Sequence, residues 1–242
     1  MIRYYSFLLA LLLFSCAKEE ELSPIPDGVL LQITHQGKVH ESLDYENGKL
    51  FRVNSYGSCD TPFGITEYSY SNDLIKNIKR SSRGVYSSSS GAMCDPNGKY
   101  ETYDSHFEYD SKGRVGKVTF SKTYVTFEYN NEEVIEKYFE NGSNVRTHYL
   151  KYDEKGNLVE ERTPDPVNGG IVRYEYDNQA NPMRNPFDRV GSAFESPNNV
   201  VRAKDASNQI IFELKYTYDT NGRVKIRTEA NGDTYDYHYQ GQ

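Results

Sequence analysis

The chain has no tryptophan, only three cysteines and three methionines, and no cluster of basic side chains anywhere in its 242 residues. A net charge of −7 without a basic patch excludes nucleic acid and anionic membrane surfaces as expected partners. The only uncharged apolar run, Phe7 to Phe14, is far shorter than the roughly twenty residues a bilayer-spanning helix needs. Motifs that carry chemistry are missing too: there is no Cys-x-x-Cys and no Gly-x-Ser-x-Gly elbow. Gly91 to Gly98-Lys99 spaces its glycines too widely for a phosphate loop and follows the lysine with Tyr100. His40-Glu41-Ser42-Leu43-Asp44 opens like a zinc-protease motif, but it ends in Asp and lies in a strand-like stretch. His35, His106, His148 and His238 are scattered over polar strand positions, and Glu160 and Glu161 fall on opposite faces of one strand. The Asp-x-x-Gly turns lack the alternating oxygen ligands of a calcium loop. No catalytic residue, metal site or cofactor is expected from these patterns.

What the chain does have is tyrosine, 22 of them. Eight strand-like runs end in tyrosine and meet a turn, with reference tyrosines at 45, 70, 109, 129, 152, 176, 218 and 237. The clearest copies are Phe107-Glu-Tyr109-Asp110-Ser-Lys-Gly113, Leu150-Lys-Tyr152-Asp153-Glu-Lys-Gly156 and Tyr216-Thr-Tyr218-Asp219-Thr-Asn-Gly222. Residues two apart share a strand face. The Asp starts a type I turn by accepting a backbone N–H, and the Gly takes positive φ without steric cost. Each copy therefore predicts a hairpin with a glycine bulge. Asn47-Gly48, Asn141-Gly142 and Asn231-Gly232 predict further hairpin turns of type I′. Self-similarity at a period of about twenty residues marks a repeat that stacks on its neighbours.

The expected fold is all-β: an antiparallel meander of tandem hairpins over residues 29–242, forming a twisted, curled sheet or partly open barrel. Two long gaps, 79–104 and 178–209, are expected to hold loop insertions, the second with strand-ending prolines and a short helix or covering loop. Tyrosines would pack their ring bodies and keep their hydroxyls wet.

The copies at 107–118, 150–158 and 216–226 resemble the YD repeats of Rhs-type and wall-associated bacterial proteins, and more closely the uncharacterised YD-repeat lipoproteins of Bacteroidota. In large Rhs proteins such repeats build a curled β shell around a toxin. Here there are too few units to enclose a domain and no cargo follows the last repeat, so the resemblance implies a hairpin-repeat sheet and not an encapsulating role.

Met1-Ile-Arg3, the apolar run and Leu13-Phe14-Ser15-Cys16 read as a lipoprotein signal peptide over 1–15 with Cys16 as the lipidated residue. Residues 16–28, polar and proline-containing, read as a flexible tether. Lys18 followed by Glu19, Glu20 and Glu21 resembles the export signal that places Bacteroidota lipoproteins on the cell surface. Cys59 and Cys94, an even pair in an exported chain, are expected to form a disulfide. The expected function is an outer-membrane-anchored, non-catalytic binding or structural module for a protein or glycan partner. The alternative is a hydrolase whose catalytic groups come from distant strands.

Overall fold

The computed structural model describes residues 28–57, 59–83, 85–88, 91–94, 98–130, 133–164, 170–184 and 193–242; within 85–94 it describes the backbone only. Eighteen strands follow one another as β1 (Leu30–His35), β2 (Lys38–Glu46), β3 (Lys49–Ser55), β4 (Gly64–Ser71), β5 (Leu74–Arg83), β6 (Val85–Ser88), β7 (Gly91–Cys94), β8 (Tyr100–Tyr109), β9 (Val115–Phe120), β10 (Thr123–Tyr129), β11 (Val134–Glu140), β12 (Ser143–Tyr152), β13 (Leu158–Thr163), β14 (Gly170–Ala180), β15 (Asn198–Lys204), β16 (Ile210–Tyr218), β17 (Val224–Glu229) and β18 (Thr234–Tyr239), with a 3-10 turn at Ala193–Glu195. Sixteen pair as an antiparallel meander, and β6 with β7 forms a separate hairpin.

The expected partly open edge does not exist. β18 pairs with β1 from Leu30↔Tyr239 to His35↔Tyr235, closing the barrel. Closure satisfies the two rows of backbone groups that an open meander would leave exposed.

Alternation divides the wall. One face carries three buried clusters: Leu30, Ile33, Leu43, Val224 and Tyr237 on β1, β2, β17 and β18; Ile75, Ile78, Phe107, Val115 and Val118 on β5, β8 and β9; and Ala193, Val200 and Leu214 around β15 and β16. This is the inner face. The other carries ion pairs that step from strand to strand, including Arg52–Glu67 at 2.7 Å, Arg173–Glu160 at 3.0 Å and Arg202–Glu175 at 2.8 Å. A barrel this wide cannot be filled from its walls alone, which is why the core is three arcs and not one centre.

The Tyr-Asp turns form as the sequence predicts. Asp110 Oδ1 accepts the N–H groups of Lys112 (2.8 Å) and Arg114 (2.9 Å), the N–H of Gly113 donates to the Asp110 carbonyl, and Gly113 sits at φ 74°. Asp153 and Asp219 repeat the arrangement. Asn47-Gly48 and Asn141-Gly142 have positive φ at both residues, as type I′ requires. Asn231-Gly232 does not: only Gly232 is left-handed, and its N–H bonds the carbonyl of Glu229, so this turn is of the Asp110 kind.

Six of the tyrosine hydroxyls are not left to water but bond main-chain carbonyls. Tyr70 donates to the carbonyl of Leu50 (2.7 Å), Tyr109 to Ile75 (2.7 Å), Tyr129 to Val115 (2.8 Å), Tyr176 to Leu158 (2.6 Å), Tyr216 to Val200 (3.2 Å) and Tyr239 to Val224 (2.8 Å). In all six the acceptor lies within the first three residues of the strand beside the tyrosine's own. The ladder between those two strands ends two residues further in, at Arg52, Asn77, Lys117, Glu160, Arg202 and Ile226. Neighbouring strands thus part at the Tyr-Asp rim, and the phenol fills the gap and caps the carbonyl left over. Burial pushes the Tyr70 and Tyr129 phenols up to about 12.

Both expected insertions are shorter than the gaps suggest. β5 runs to Arg83 and β8 begins at Tyr100, so the first reduces to residues 84–99, which hold the β6–β7 hairpin. In the second, Tyr176 pairs with Val200 as Tyr152 pairs with Leu158, and Asn199 donates to Asp177 as Asn157 does to Asp153. Residues 178–198 therefore replace the short turn of an ordinary repeat hairpin.

Candidate functional site

That enlarged turn builds the most distinctive interior feature. Asn181 folds it back on itself: its amide donates to the carbonyls of Phe194 (2.6 Å) and Ser196 (2.9 Å), and its side-chain oxygen accepts the N–H of Met183 (2.9 Å). Met183 packs against the β1/β2/β17/β18 cluster, and Phe194 stacks on Phe212 at 5.5 Å. Two adjoining cavities result. The larger, about 490 Å³, lies between Met183 and Phe194 on one side and Leu43, Tyr45, Val53, Tyr68 and Tyr70 of β2, β3 and β4 on the other. The smaller, about 230 Å³, is lined by Ile33, His40, Glu41, Asn199, Val200, Tyr216, Arg227 and Tyr237. Glu41, Met183 and Phe194 line both.

The polar groups at this junction come from strands far apart in sequence. Register places Glu41 opposite Ile33, and Arg227 between Tyr216 and Tyr235, all on the inner face. Burial raises the Glu41 carboxyl above its ordinary value, against the opposing pull of Arg227. Arg227 bonds Glu229 Oε1 at 3.1 Å and lies 4.2 Å over the Tyr235 ring. Burial lowers His40, aided by the charge of Arg227; its ring meets Tyr235 edge-on at 5.0 Å. The wall combines aromatic faces with one carboxyl and one guanidinium, a surface suited to holding a partly polar group.

A second polar cluster sits elsewhere on the inner face. His148 Nδ1 is 2.7 Å from Glu161 Oε1 and 3.9 Å from Glu136 Oε2, and Tyr174 donates to Glu161 Oε2 at 3.3 Å. The hydrogen bond from His148 lowers Glu161, whereas burial raises Glu136. Two carboxyls pushed apart in this way can divide acid and base roles. Neither cavity of the Met183–Phe194 turn includes these residues in its lining. Among the described residues, no group of three or more His, Cys, Asp and Glu side chains is placed to hold a metal ion.

Of the residues singled out in the sequence, Cys16 lies outside the described residues, Cys59 lies in the β3–β4 connection, and Cys94 ends β7 with its side chain outside the described set. His35 Nδ1 is 2.9 Å from the Thr234 carbonyl oxygen, His106 Nδ1 2.7 Å from Asn77 Oδ1 and His238 Nε2 3.0 Å from Thr34 Oγ1, which are polar strand contacts as expected. Glu160 and Glu161 do face opposite ways, yet Glu161 meets Glu136 and His148 from other strands. Glu41 and Arg227 are invisible as a pair in the sequence, since their sharing of one cavity wall depends on which strands close the barrel.

No family model matches the chain, and no curated protein matches it. Among solved structures, a porin-like protein from Bacteroides uniformis superposes with a TM-score of 0.47 at 11% identity, over 90% of this chain and 100% of its own. A chain of the TcdB2-TccC3-Cdc42 complex superposes with a TM-score of 0.31 at 12% identity, over 83% of this chain and 11% of that one. Neither bears on function at this distance.

Proposed function

We propose that the protein is a non-catalytic binding module of the YD-repeat lipoprotein kind, held at the outer membrane by a lipid at Cys16, with a protein or glycan as its partner. One observation carries the reading: the Tyr-Asp hairpin at Asp177 is enlarged into a segment that turns Met183 and Phe194 toward Tyr45, Tyr68 and Tyr70 across a 490 Å³ space. A turn that only joined two strands needs no such excursion, since Asp153 to Asn157 joins its pair directly. The outer face supports anchoring over spanning. Ion-pair ladders such as Glu67 with Arg52 and Lys79 occupy the surface where a membrane-spanning barrel presents an apolar band. Cys59 and Cys94 are proposed to be cross-linked, since the β3–β4 connection and the β6–β7 hairpin lie at the same rim.

The test is recovery of tagged lipoprotein from its native envelope, comparing wild type with a Met183→Ala, Phe194→Ala double variant. A specific partner that is lost with the double variant is the expected result. Recovery of no partner, or equal recovery by both proteins, removes the reading. Cys16→Ser should release the protein from the membrane fraction.

The convergence of Glu136 and Glu161 on His148 favours a second reading, a hydrolase. Glu161→Gln and Glu136→Gln would each abolish turnover under that reading, whereas neither affects partner recovery under the first.

A further inference from the structure

Glu41 is the one carboxyl that lines both cavities, and among the described residues its side chain is half-buried and joins no ion pair. The nearest opposing influence is Arg227, which is itself bonded to Glu229. Half-buried, the carboxyl turns its free acceptor oxygens to the open cavity space, where a ligand that donates to it gains charge-assisted hydrogen bonds. Cationic groups such as ammonium and neutral groups such as hydroxyls both supply donors. Arg227 in the smaller cavity, and Lys49 and Arg184 in the larger, offset the pull of the carboxylates on a cation, so neither cavity offers a cation net attraction. An anion meets Glu41 in both and Glu195 in the larger. A neutral polyol escapes both penalties, and each hydroxyl can donate to a carboxylate and accept from a guanidinium. Phe194, Tyr216 and Tyr237 give the smaller cavity an aromatic lining, which suits the apolar C–H side of a sugar. Its 230 Å³ equals the liquid share of about seven or eight waters, room for one hexose ring.

We propose that Glu41 is the hydroxyl-accepting residue of a carbohydrate subsite that takes one neutral sugar ring in the smaller cavity. The inference rests on the binding-module reading and narrows its partner to a glycan.

The test is calorimetry and saturation-transfer NMR on the lipoprotein in detergent. The probes are methyl glycosides of glucose, galactose, mannose and N-acetylglucosamine, with glucosamine and glucuronate as charged counterparts. At least one neutral glycoside should bind, and Glu41→Gln should weaken it about tenfold, the loss of one charged acceptor. The charged counterparts should bind less well. Met183→Trp, which adds bulk at the junction of the cavities and keeps the Glu41 carboxyl, should abolish binding in protein whose thermal melt confirms folding. Binding of no neutral glycoside, unchanged affinity in Glu41→Gln, or preference for a charged sugar overturns the proposal. If an envelope partner is still lost with the Met183→Ala, Phe194→Ala variant while no glycoside binds, the sugar subsite falls and the binding module stands; loss of both results removes both.

Discussion

The hydroxyl of Tyr176 donates to the main-chain carbonyl of Leu158 at 2.6 Å, bridging two strands where their ladder has already ended. Tyr70, Tyr109, Tyr129, Tyr216 and Tyr239 make the same bond to their own neighbours. Removing one hydroxyl leaves a carbonyl without a donor in a half-buried gap. Tyr176→Phe and Tyr239→Phe should each cost about 1–3 kcal/mol in urea unfolding at unchanged m-value. Tyr149→Phe, on the outer face under Arg162, should stay within about 0.5 kcal/mol. Equal effects at all three positions would refute the capping role.

Gly113 is left-handed, with open space where a Cβ would stand, so a substitution there tests conformation alone. Gly113→Ala should cost about 1–2 kcal/mol by thermal or urea unfolding. Gly113→Asn should cost less, because Asn208 at φ 62° already holds the equivalent place in the Asp205–Gln209 turn.

The pair around His148 predicts opposite pH behaviour for its two carboxyls. Glu161 lies below its ordinary value of 4.5 in the folded protein, so it contributes stability above that value and loses it as pH falls through the lowered one. Glu161→Gln should therefore destabilise at neutral pH, and the difference from wild type should vanish in acid. Glu136 is raised by burial, so its contribution is present in acid and lost as pH rises through the raised value. Glu136→Gln should be neutral or stabilising at neutral pH. Urea unfolding of both variants against pH checks the signs, and parallel curves would remove the account.

If Cys59 and Cys94 are joined, non-reducing peptide mapping of envelope-derived protein should yield one linked fragment. Cys59→Ser with Cys94→Ser should then lower stability by about 3–4 kcal/mol. Two free thiols in that preparation would end the proposal.

Much of the wall was legible because its signals are local. Asp110, Asp153 and Asp219 with the glycines three residues on encode their turns within five residues, and alternation around Phe107 and Tyr109 encodes the strand face. The rim bonds were not legible. Tyr176 reaches Leu158 across a separation that depends on strand pairing, and nothing near Tyr176 announces the acceptor. The closing repeat shows the same limit: its capping tyrosine is Tyr239, not Tyr237, while Tyr218 turns to Asp177 and leaves the cap to Tyr216. Glu41 looked like the remnant of a failed metal motif, and only the ring closure that brings β17 and β18 beside β1 and β2 sets it near Arg227. In the sequence the stretch after Asp177 looks like a break in the repeat because Asn199, its turn partner, lies so far downstream.

The seam between β1 and β18 also governs how this architecture can change size. An antiparallel ring returns to its starting strand in the correct direction only with an even strand count, so growth or shrinkage proceeds by whole hairpins. Loss of β10 with β11 would leave a narrower ring of unbroken pairing, whereas loss of β10 alone would set β9 against a parallel neighbour. Lumen width is thus quantised, and duplication of a single Tyr-Asp unit is the smallest step by which such a chain can widen what it encloses.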